Sequence, residues 1–451
     1  MTSDLNIAEV AIVFNYALPL CFVERQARPP GKFTAMVLAP LDSFAYFCLP
    51  SIRKRPLNKQ SIKGLTLIEL LEFVESLGEK KYRASQLFSW MYAKGAKSFD
   101  EMTDISKELR EVLTSSARLD SLVLDRKSIS PTDGTTKFLF RLNDGFMIES
   151  VLIPAQESDS SEDEDEDEAD ISPTPGKRLT LCVSTQVGCP LDCKFCATGT
   201  MGFLRNLTAG EIVDQVIQAQ RLADRRITNL VYMGMGEPML NYDDVMTSID
   251  IITDDRSLNI GSRHITVSTA GYADRIRQMA DEGRKVKLAL SLHSLDNEKR
   301  TNLMPITKKF SVDSLIEALD YYYRKTRRRP TFEYIPFDGY NDTDEDVKRF
   351  VKLSKRIPCK VNLIPFHSIA FTGISGLGAT LRPTPKEKME RFAQALRKAN
   401  ITVMVRSSSG EDIEAACGQL AVEEQQSKSR AIAAKKPAVR KQKAAHAKVS
   451  K

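Results

Sequence analysis

The sequence is poor in three features: long apolar runs, cysteines spaced as disulfide pairs, and histidine. No apolar run approaches the ~20 residues that a membrane helix needs, so a membrane partner is not expected. The eight cysteines are grouped rather than scattered in pairs, which argues against a disulfide framework and for a reducing compartment. Only four residues are histidine, so the position of each one carries weight. With 451 residues and 42% hydrophobic content, the chain can bury one large core and a smaller domain.

Two segments of the chain each contain charged residues of only one sign. Residues 157–170 contain ten acids and no base, and residues 428–451 contain nine bases and no acid, so both are predicted to be disordered. The ten acids leave 65 bases against 49 acids in the rest of the chain, a net charge of +16. Such an excess favours a polyanionic partner, because Lys and Arg contacts to phosphate release counterions.

Half of the cysteines lie in one stretch, Leu181 to Cys196. Cys189, Cys193 and Cys196 follow a Cys-x3-Cys-x2-Cys spacing, which lets one loop turn three sulfurs toward a common point. A structural zinc site needs four protein ligands, whereas an iron–sulfur cluster held by three thiolates leaves one iron open for a small molecule. Cys182 is a fourth thiol nearby, but it lies seven residues upstream in a predicted strand. The spacing favours a cluster, with zinc and uncoordinated thiols as the alternatives.

The chain divides into segments with different patterns. Residues 61–125 carry apolar positions at helical spacing and predict a small helical accessory domain that binds RNA, with its aromatic side chains in the core. The remaining predicted boundaries are an N-terminal extension over 1–60, a β-hairpin linker over 126–155, an acidic disordered insertion over 156–176, a catalytic domain over 177–424 and a basic disordered tail over 425–451. The N-terminal extension is a candidate organellar leader, although the features typical of a leader are weakly marked in it. The expected location is the cytoplasm or an organellar stroma or matrix, with a plastid as the candidate organelle.

Beyond residue 177, seven short apolar runs alternate with six longer helical ones. Repeated strand–helix units predict an α/β fold in which a parallel sheet curls into a full or partial (β/α) barrel. Active sites of such sheets lie at the carboxyl ends of the strands. The residues predicted at those ends are Gly236, Glu237, Ser268, the run Ser291, Leu292 and His293, and His367.

Two further residues stand out by position. Glu149 is the one acid among the apolar residues of the second hairpin strand. Cys417 follows the last predicted strand, where a barrel would bring it over the cysteine loop. Both are candidates for chemistry near that loop.

Several motifs in a fixed order resemble those of one enzyme family. They are CVSTQVGCPLDCKFC, GMGEPMLN, the Ser291 to His293 loop and ACGQL, with GEKKYRASQLFSWMY and FDEMTDISKELR upstream. Together they resemble the radical S-adenosylmethionine (SAM) methyltransferases that act on carbon 2 of adenine in large-subunit ribosomal RNA and transfer RNA. The resemblance covers residues 62 to 424 and predicts the radical-SAM form of the barrel.

The resemblance implies two cofactors and a set of residues that hold them. The three loop cysteines Cys189, Cys193 and Cys196 would hold a [4Fe–4S] cluster. The residues at the strand ends would bind SAM: Gly236, Glu237, Ser268, Ser291, Leu292 and His293. His367 stands where the family commonly has Asn, and it is kept as a SAM contact because His can still donate a hydrogen bond.

The resemblance also implies a radical route, because carbon 2 of adenine is not nucleophilic. One SAM would methylate the Cys417 thiolate by ordinary displacement. A second SAM, reduced by the cluster, would give a 5′-deoxyadenosyl radical that takes hydrogen from this methyl group. The methylene radical would add to the base, Glu149 would accept the proton of carbon 2, and Cys182 would attack the Cys417 sulfur, leaving a disulfide bond.

The implied partners are ribosomal RNA, with transfer RNA as a second substrate, and an electron donor such as flavodoxin or ferredoxin; the protein is expected to act as a monomer. Two alternatives remain open. A non-catalytic RNA-binding factor would use the cluster only to stabilise its fold, but a purely structural cluster does not need Cys182, Cys417 or Glu237. A sister enzyme that methylates carbon 8 of the same adenine would carry nearly the same motifs.

Overall fold

The structure is a computed structural model, and it describes residues 59–155 and 178–422. The predicted leader, the acidic insertion and the basic tail lie outside the described residues. All described residues fall within one compact unit. Within that part of the chain, no helix is both long and apolar enough to cross a bilayer.

The described residues form twelve α-helices and fourteen β-strands. The helices are α1 Leu67–Ser76, α2 Tyr82–Phe88, α3 Lys107–Ser116, α4 Ala197–Met201, α5 Ala209–Ala223, α6 Tyr242–Thr253, α7 Ala273–Asp281, α8 Asn297–Leu303, α9 Val312–Thr326, α10 Asp344–Ser354, α11 Leu377–Thr380 and α12 Lys386–Lys398. The strands are β1 Gln60–Ser61, β2 Ala117–Arg118, β3 Val123–Ile129, β4 Thr136–Arg141, β5 Met147–Pro154, β6 Leu179–Cys182, β7 Gln186–Gly188, β8 Phe203–Asn206, β9 Asn229–Tyr232, β10 Ile265–Thr269, β11 Lys287–Ser291, β12 Thr331–Tyr334, β13 Lys360–Leu363 and β14 Thr402–Val405.

The N-terminal helices α1 to α3 form where the sequence has strong local signals. Thr66 caps α1 in a capping box with Glu69, whose carboxylate accepts from the Thr66 N–H at 2.7 Å. Phe88 and Tyr92 are buried and pack edge to face with their ring centroids 4.7 Å apart. The prediction that the aromatic residues of this region form its core is confirmed for these two.

The central sheet has ten strands in the order β14-β13-β12-β11-β10-β9-β6-β5-β4-β3. Neighbouring strands from β6 through β9 to β14 are parallel, and all seven predicted strands are present among them. In the described residues β14 and β3 do not pair with each other, so the barrel is partial. The predicted α/β fold is confirmed.

The predicted hairpin is part of this sheet. β5 pairs antiparallel with both β4 and β6, and β4 pairs with β3, a strand that the sequence analysis did not predict. The chain before the catalytic domain therefore extends the barrel sheet on the β6 side. This extension places Glu149 of β5 beside the first parallel strand.

The chain after β14 reaches across to these added strands. We call residues 410–421 the Cys417 segment. Its first residue donates a backbone hydrogen bond to Asp133 Oδ2 in the β3–β4 turn, at 2.8 Å. Farther along, the Gly418 carbonyl accepts from the Ala197 N–H of α4 at 2.7 Å. The segment is thus attached at the edge of the sheet and at the end of the cysteine loop.

Candidate active site

The three loop cysteines lie between β7 and α4, just beyond the carboxyl end of β6. Cys189 directly follows β7, and Cys196 is the residue before α4. The Cys196 N–H donates to the Cys193 carbonyl at 3.2 Å, which closes a turn between the last two cysteines. Gly188 has a φ of +75°, and a Cβ at this position would lie 1.9 Å from the Gly202 carbonyl oxygen. The path of the loop therefore requires glycine there.

An aromatic contact joins the cysteine loop to the end of β11. Phe195, between the last two cysteines, is buried in a small apolar cluster with Phe337 and Phe366. Its ring packs edge to face on His293, with the centroids 4.5 Å apart. The predicted cluster loop and one predicted SAM residue are therefore in direct contact.

The chemistry of the three thiols fits an iron–sulfur cluster. Burial raises the pKa of each, and for Cys193 the adjacent thiols of Cys196 and Cys189 raise the pKa further. Buried thiols of this kind ionise when a metal centre supplies the compensating positive charge. Across 59–155 and 178–422, no three His, Cys, Asp or Glu side chains are gathered tightly enough to hold one metal ion. Three soft sulfur donors spread along one loop suit a cluster of several irons.

Gly236 and Glu237 follow β9, as the sequence predicts, at the carboxyl end of the parallel sheet. The Glu237 carboxylate is buried, and burial raises its pKa. It accepts hydrogen bonds from Met239 N–H (3.0 Å), the Thr269 hydroxyl (2.7 Å) and Ala270 N–H (2.8 Å). An ionised carboxylate has about four acceptor positions, so one remains for an ammonium donor.

The ends of β10 and β11 carry the next predicted residues. Ser268 is largely buried near the end of β10, and Ser291 is the last residue of β11. His293 is buried with a φ of +52°, and its Nδ1 accepts from the Ile335 N–H at 3.0 Å. Burial, and then the nearby Arg300, lowers the pKa of His293 to about 3. The ring is therefore neutral, with its proton on Nε2 as a donor.

Arg300 of α8 is a buried residue at this site that the sequence analysis missed. Its guanidinium donates to the carbonyl oxygens of Ala270 (2.5 Å), Ser291 (3.0 Å) and Leu292 (3.0 Å), and to the Thr307 hydroxyl (2.7 Å). These bonds tie the end of β10 to the end of β11, and Leu292 itself is fully buried. An arginine in a short polar helix gives no local signal that it will be buried.

His367 follows β13 and is buried. Its Nδ1 lies 3.1 Å from Glu411 Oε1, but the angles do not make a hydrogen bond, so within the described chain this nitrogen has no hydrogen-bond partner. A buried nitrogen without a partner is suited to a ligand contact. The predicted SAM contact fits this environment.

Cys182 and Glu149 lie on the same face of the sheet. Cys182 is the last residue of β6 and pairs with Val151 of β5, which pairs in turn with Lys137 of β4. Paired residues point to the same face, and Glu149 is two residues from Val151, so its side chain lies there as well. Three neighbouring strands therefore present a thiol, a carboxylate and an ammonium group together.

The Glu149 carboxylate is buried, with 5% of the residue exposed. Its Oε1 lies 3.4 Å from Lys137 Nζ, and its Oε2 accepts from the Ala421 N–H of the Cys417 segment at 2.9 Å. Burial raises the pKa of Glu149 to about 7 against the opposing effect of Lys137. A carboxylate with a pKa near the operating pH is suited to general acid–base work.

Cys417 remains accessible to solvent although protein groups surround it. Burial, and then Glu333, raises the pKa of its thiol, while Arg406 at the end of β14 lowers it. For Cys182, burial raises the pKa, and the charge of Cys417 raises it further. Cys417 therefore lies close enough to Cys182 for its charge to act on that thiol, although the two residues are far apart in the sequence.

Comparison with known proteins identifies the family. One family model, the ribosomal RNA large subunit methyltransferase N-terminal domain, matches residues 60–119, and a second, the radical SAM superfamily, matches residues 183–353. A probable dual-specificity RNA methyltransferase RlmN of Cytophaga hutchinsonii is 40% identical over 388 residues, which cover 85% of this chain and 99% of that protein. The chain belongs to the RlmN family.

Further relatives agree with this assignment. The probable RlmN of Thermotoga sp. strain RQ2 is 42% identical over 361 residues, or 80% of this chain and 97% of that protein. The crystal structure of a radical SAM methyltransferase from Sphaerobacter thermophilus matches with a TM-score of 0.69 at 40% identity, covering 80% of this chain and 99% of that one. The resemblance drawn from the motifs is confirmed, and with it the [4Fe–4S] cluster and SAM as cofactors of this RlmN family member.

Proposed function

We propose that this protein is a radical-SAM methyltransferase that methylates carbon 2 of adenine in large-subunit ribosomal RNA and in transfer RNA. The observation that carries the proposal is the convergence of Cys417, Cys182 and Glu149 beside the cysteine loop of an RlmN family member. A cluster that served only as a staple would need none of these three side chains. The relatives named dual-specificity RNA methyltransferases match over nearly their whole length, which supports RNA as the substrate.

The cofactor sites follow from the loop and the strand ends. Cys189, Cys193 and Cys196 hold the cluster, and the strand-end residues described above bind SAM. When bound, these cofactors supply the methyl group and the radical that a non-nucleophilic carbon requires. The neutral His293 contributes an Nε2–H donor, and its contact with Phe195 keeps that donor beside the cysteine loop.

Cys417 is the methyl carrier in this proposal. Its thiol must be reachable by both SAM and the base, and the structure leaves it open to solvent. A thiolate is the nucleophile in a displacement on SAM. Burial and Glu333 raise the pKa of the Cys417 thiol, and the positive charge of Arg406 offsets part of that rise. Gly418 has a φ of +86°, and a Cβ at this position would lie 3.1 Å from the Phe195 carbonyl oxygen, so the carrier lies directly beside the cysteine loop.

Glu149 and Cys182 complete the reaction. Glu149 accepts the proton of carbon 2, and its pKa of about 7 lets it do so as a carboxylate near neutral pH. Cys182 then attacks the Cys417 sulfur, so that a sulfur–sulfur bond forms and the bond from sulfur to the transferred carbon breaks. That carbon keeps the electron pair and takes up a proton to become the methyl group. The radical adduct must also give up one electron, and the bound cluster would serve as the acceptor. A dithiol reductant must return two electrons to the disulfide bond.

A cationic cavity supports RNA binding away from the catalytic face. It has a volume of about 500 Å³ and lies between the N-terminal helices and the carboxyl end of α5. Lys94, Arg221, Arg225 and Arg226 line it, and Arg225 and Arg226 are exposed. Cations of this kind contact RNA phosphates without reading sequence.

The proposal also covers the electron donor and the oligomeric state. We expect flavodoxin or ferredoxin as the electron donor and a monomeric enzyme. The location, cytoplasm or organellar stroma or matrix, stays a prediction, and the comparisons give no support to a plastid.

The test is mass spectrometry of nucleosides from ribosomal and transfer RNA after anaerobic reaction with reconstituted protein, SAM and a reductant. We expect the wild-type protein to form 2-methyladenosine and Cys417→Ala to form none. The iron content of Cys417→Ala should match that of the wild type, because Cys417 is not a ligand of the cluster. Formation of 8-methyladenosine would instead assign the sister activity. RNA that is bound but unmodified would indicate a non-catalytic RNA-binding factor.

A further inference from the structure

One ion pair on the sheet contacts the Cys417 segment on both sides of the cysteine. Lys137 Nζ lies 3.4 Å from Glu149 Oε1 and donates to the Glu414 carbonyl at 3.1 Å. Glu149 Oε2 accepts from the Ala421 N–H at 2.9 Å. Glu414 lies three residues before Cys417, and Ala421 lies four residues after it. The proposed base and the proposed methyl carrier are therefore held by the same pair of side chains.

We propose that Lys137 is a positioning residue for the methylation reaction: it keeps Glu149 ionised in a buried site, and it holds the Cys417 segment through the Glu414 carbonyl. The inference rests on the proposed function, because it assigns to one cation a role in positioning the base and the methyl carrier of that reaction.

The physical reason is the cost of a buried charge. The Glu149 side chain is 6% exposed and the Lys137 side chain 15%, so water screens neither well. An isolated carboxylate in such a place would bind a proton, whereas an ammonium group at 3.4 Å favours the charged form. Only the charged form can accept the proton of carbon 2. The same ammonium group has three donors, so it can also bond the Glu414 carbonyl.

The titratable groups that face Glu149 come from β4, the Cys417 segment and β6. β4 contributes Lys137, and the Cys417 segment contributes the Glu414 carboxylate, whose charge raises the pKa of Glu149. β6 contributes the Cys182 thiol on the same face, and β7, with the sequence Gln-Val-Gly, contributes no acid or base. Lys137 and Glu414 thus act on the base in opposite directions, which gives the proposal a two-sided test.

The first experiment measures single-turnover methylation of RNA between pH 6 and pH 9 by holoenzyme whose Cys417 already carries the methyl group. Lys137→Met should raise the pKa of Glu149 and move the acidic limb of the profile to higher pH. Removal of an opposite charge within hydrogen-bond range shifts a carboxyl pKa by about one unit or more, so the rate at pH 7 should fall roughly fivefold or more and recover above about pH 8. Lys137→Arg should stay within about twofold, since it keeps the charge.

Two further variants sharpen the comparison. Glu414→Gln removes the like charge and should move the acidic limb to lower pH. Lys127→Met is the matched control: Lys127 lies on β3, pairs with Phe138 and so points to the opposite face, where it should leave the limb unmoved. A merely structural Lys137 would lower the rate at every pH without moving the limb, and that result would overturn the proposal.

A second measurement does not depend on activity. Hydrogen–deuterium exchange of the peptide over residues 414–421 in the holoenzyme should be faster in Lys137→Met than in wild type, and unchanged in Lys137→Arg. Equal exchange in Lys137→Met and wild type would refute the proposal that Lys137 fixes the Cys417 segment through the Glu414 carbonyl. This outcome could be read even if the Met variant were too unstable for kinetics. Failure of the wild type to form methyladenosine would refute the proposed function itself, whereas a methylating wild type with an unmoved limb would refute only the role of Lys137.

Discussion

Glu149→Gln should make the protein more stable above neutral pH, because the wild-type enzyme keeps a buried carboxylate ionised there. The carboxyl has a pKa of about 7 in the folded chain, against an ordinary value of 4.5. The folded state therefore binds this proton more tightly than the unfolded state, and the stability it contributes is lost as the pH rises from about 4.5 to about 7. Gln resembles the protonated form in shape and charge, so it avoids this loss.

The expected magnitude follows from that difference in pKa. At about 1.4 kcal/mol per pH unit, the ionised carboxylate costs roughly 3 kcal/mol once the pH exceeds 7. At pH 5 the cost falls to about 1 kcal/mol, because the wild-type carboxyl is then protonated in the folded state. With an unfolding entropy of about 2.1 cal/mol/K per residue, 3 kcal/mol corresponds to a gain in Tm of roughly 4 °C at pH 8.

The assay is thermal unfolding of anaerobic wild-type and Glu149→Gln protein between pH 5 and pH 8.5. The two Tm curves should nearly meet at pH 5 and separate as the pH rises, while the variant loses methylation activity. Glu111→Gln is the control, since Glu111 is exposed on α3 and its replacement should leave the pH dependence unchanged. Parallel curves for Glu149→Gln and wild type, or a less stable variant at pH 8, would refute the burial of an ionised base.

Two other variants test the cysteine loop and the pair of thiols. Gly188→Ala should lose most bound iron, measured by iron and sulfide analysis, because its Cβ would lie 1.9 Å from the Gly202 carbonyl oxygen; Gly283→Ala, also at positive φ but with nothing within 4 Å, should keep its iron, and equal iron in both would contradict the steric argument. Cys182→Ala should accumulate a covalent adduct between Cys417 and RNA, seen as a band on a denaturing gel that ribonuclease collapses. A variant lacking both thiols should give no adduct, and normal turnover by Cys182→Ala would remove the disulfide step.

Local sequence patterns predicted the strands and helices whose apolar residues recur at a regular spacing. The seven parallel strands are short apolar runs and were all found, since strands covered by helices on the barrel are apolar along their length. β3 was missed because it is an edge strand with the sequence VLDRKSI, most of whose residues are exposed. Charged side chains protect such an edge from further pairing, and they also hide the alternation that marks a strand.

In the candidate site, too, the local features were predictable from the sequence and the long-range contacts were not. The spacing of Cys189, Cys193 and Cys196 is local, so the sequence alone pointed to a metal centre. The contact between Glu149 and Ala421 joins residues 272 positions apart, and no pattern near either residue records it. Arg300 is similar, because its four acceptors are scattered over the ends of two strands and a 3-10 helix at Pro305–Lys308.

The sequence by itself therefore determined the fold class, the cofactor chemistry of the cysteine loop and the family. Those depend on residue type at short, fixed spacing. The tertiary structure decided which charges face the base: the sheet register sets Lys137 and Glu149 on the face that Cys182 shares, and the Cys417 segment closes over them. Whether Glu149 is ionised depends on its burial and on the charges of Lys137 and Glu414, and only folding brings these together.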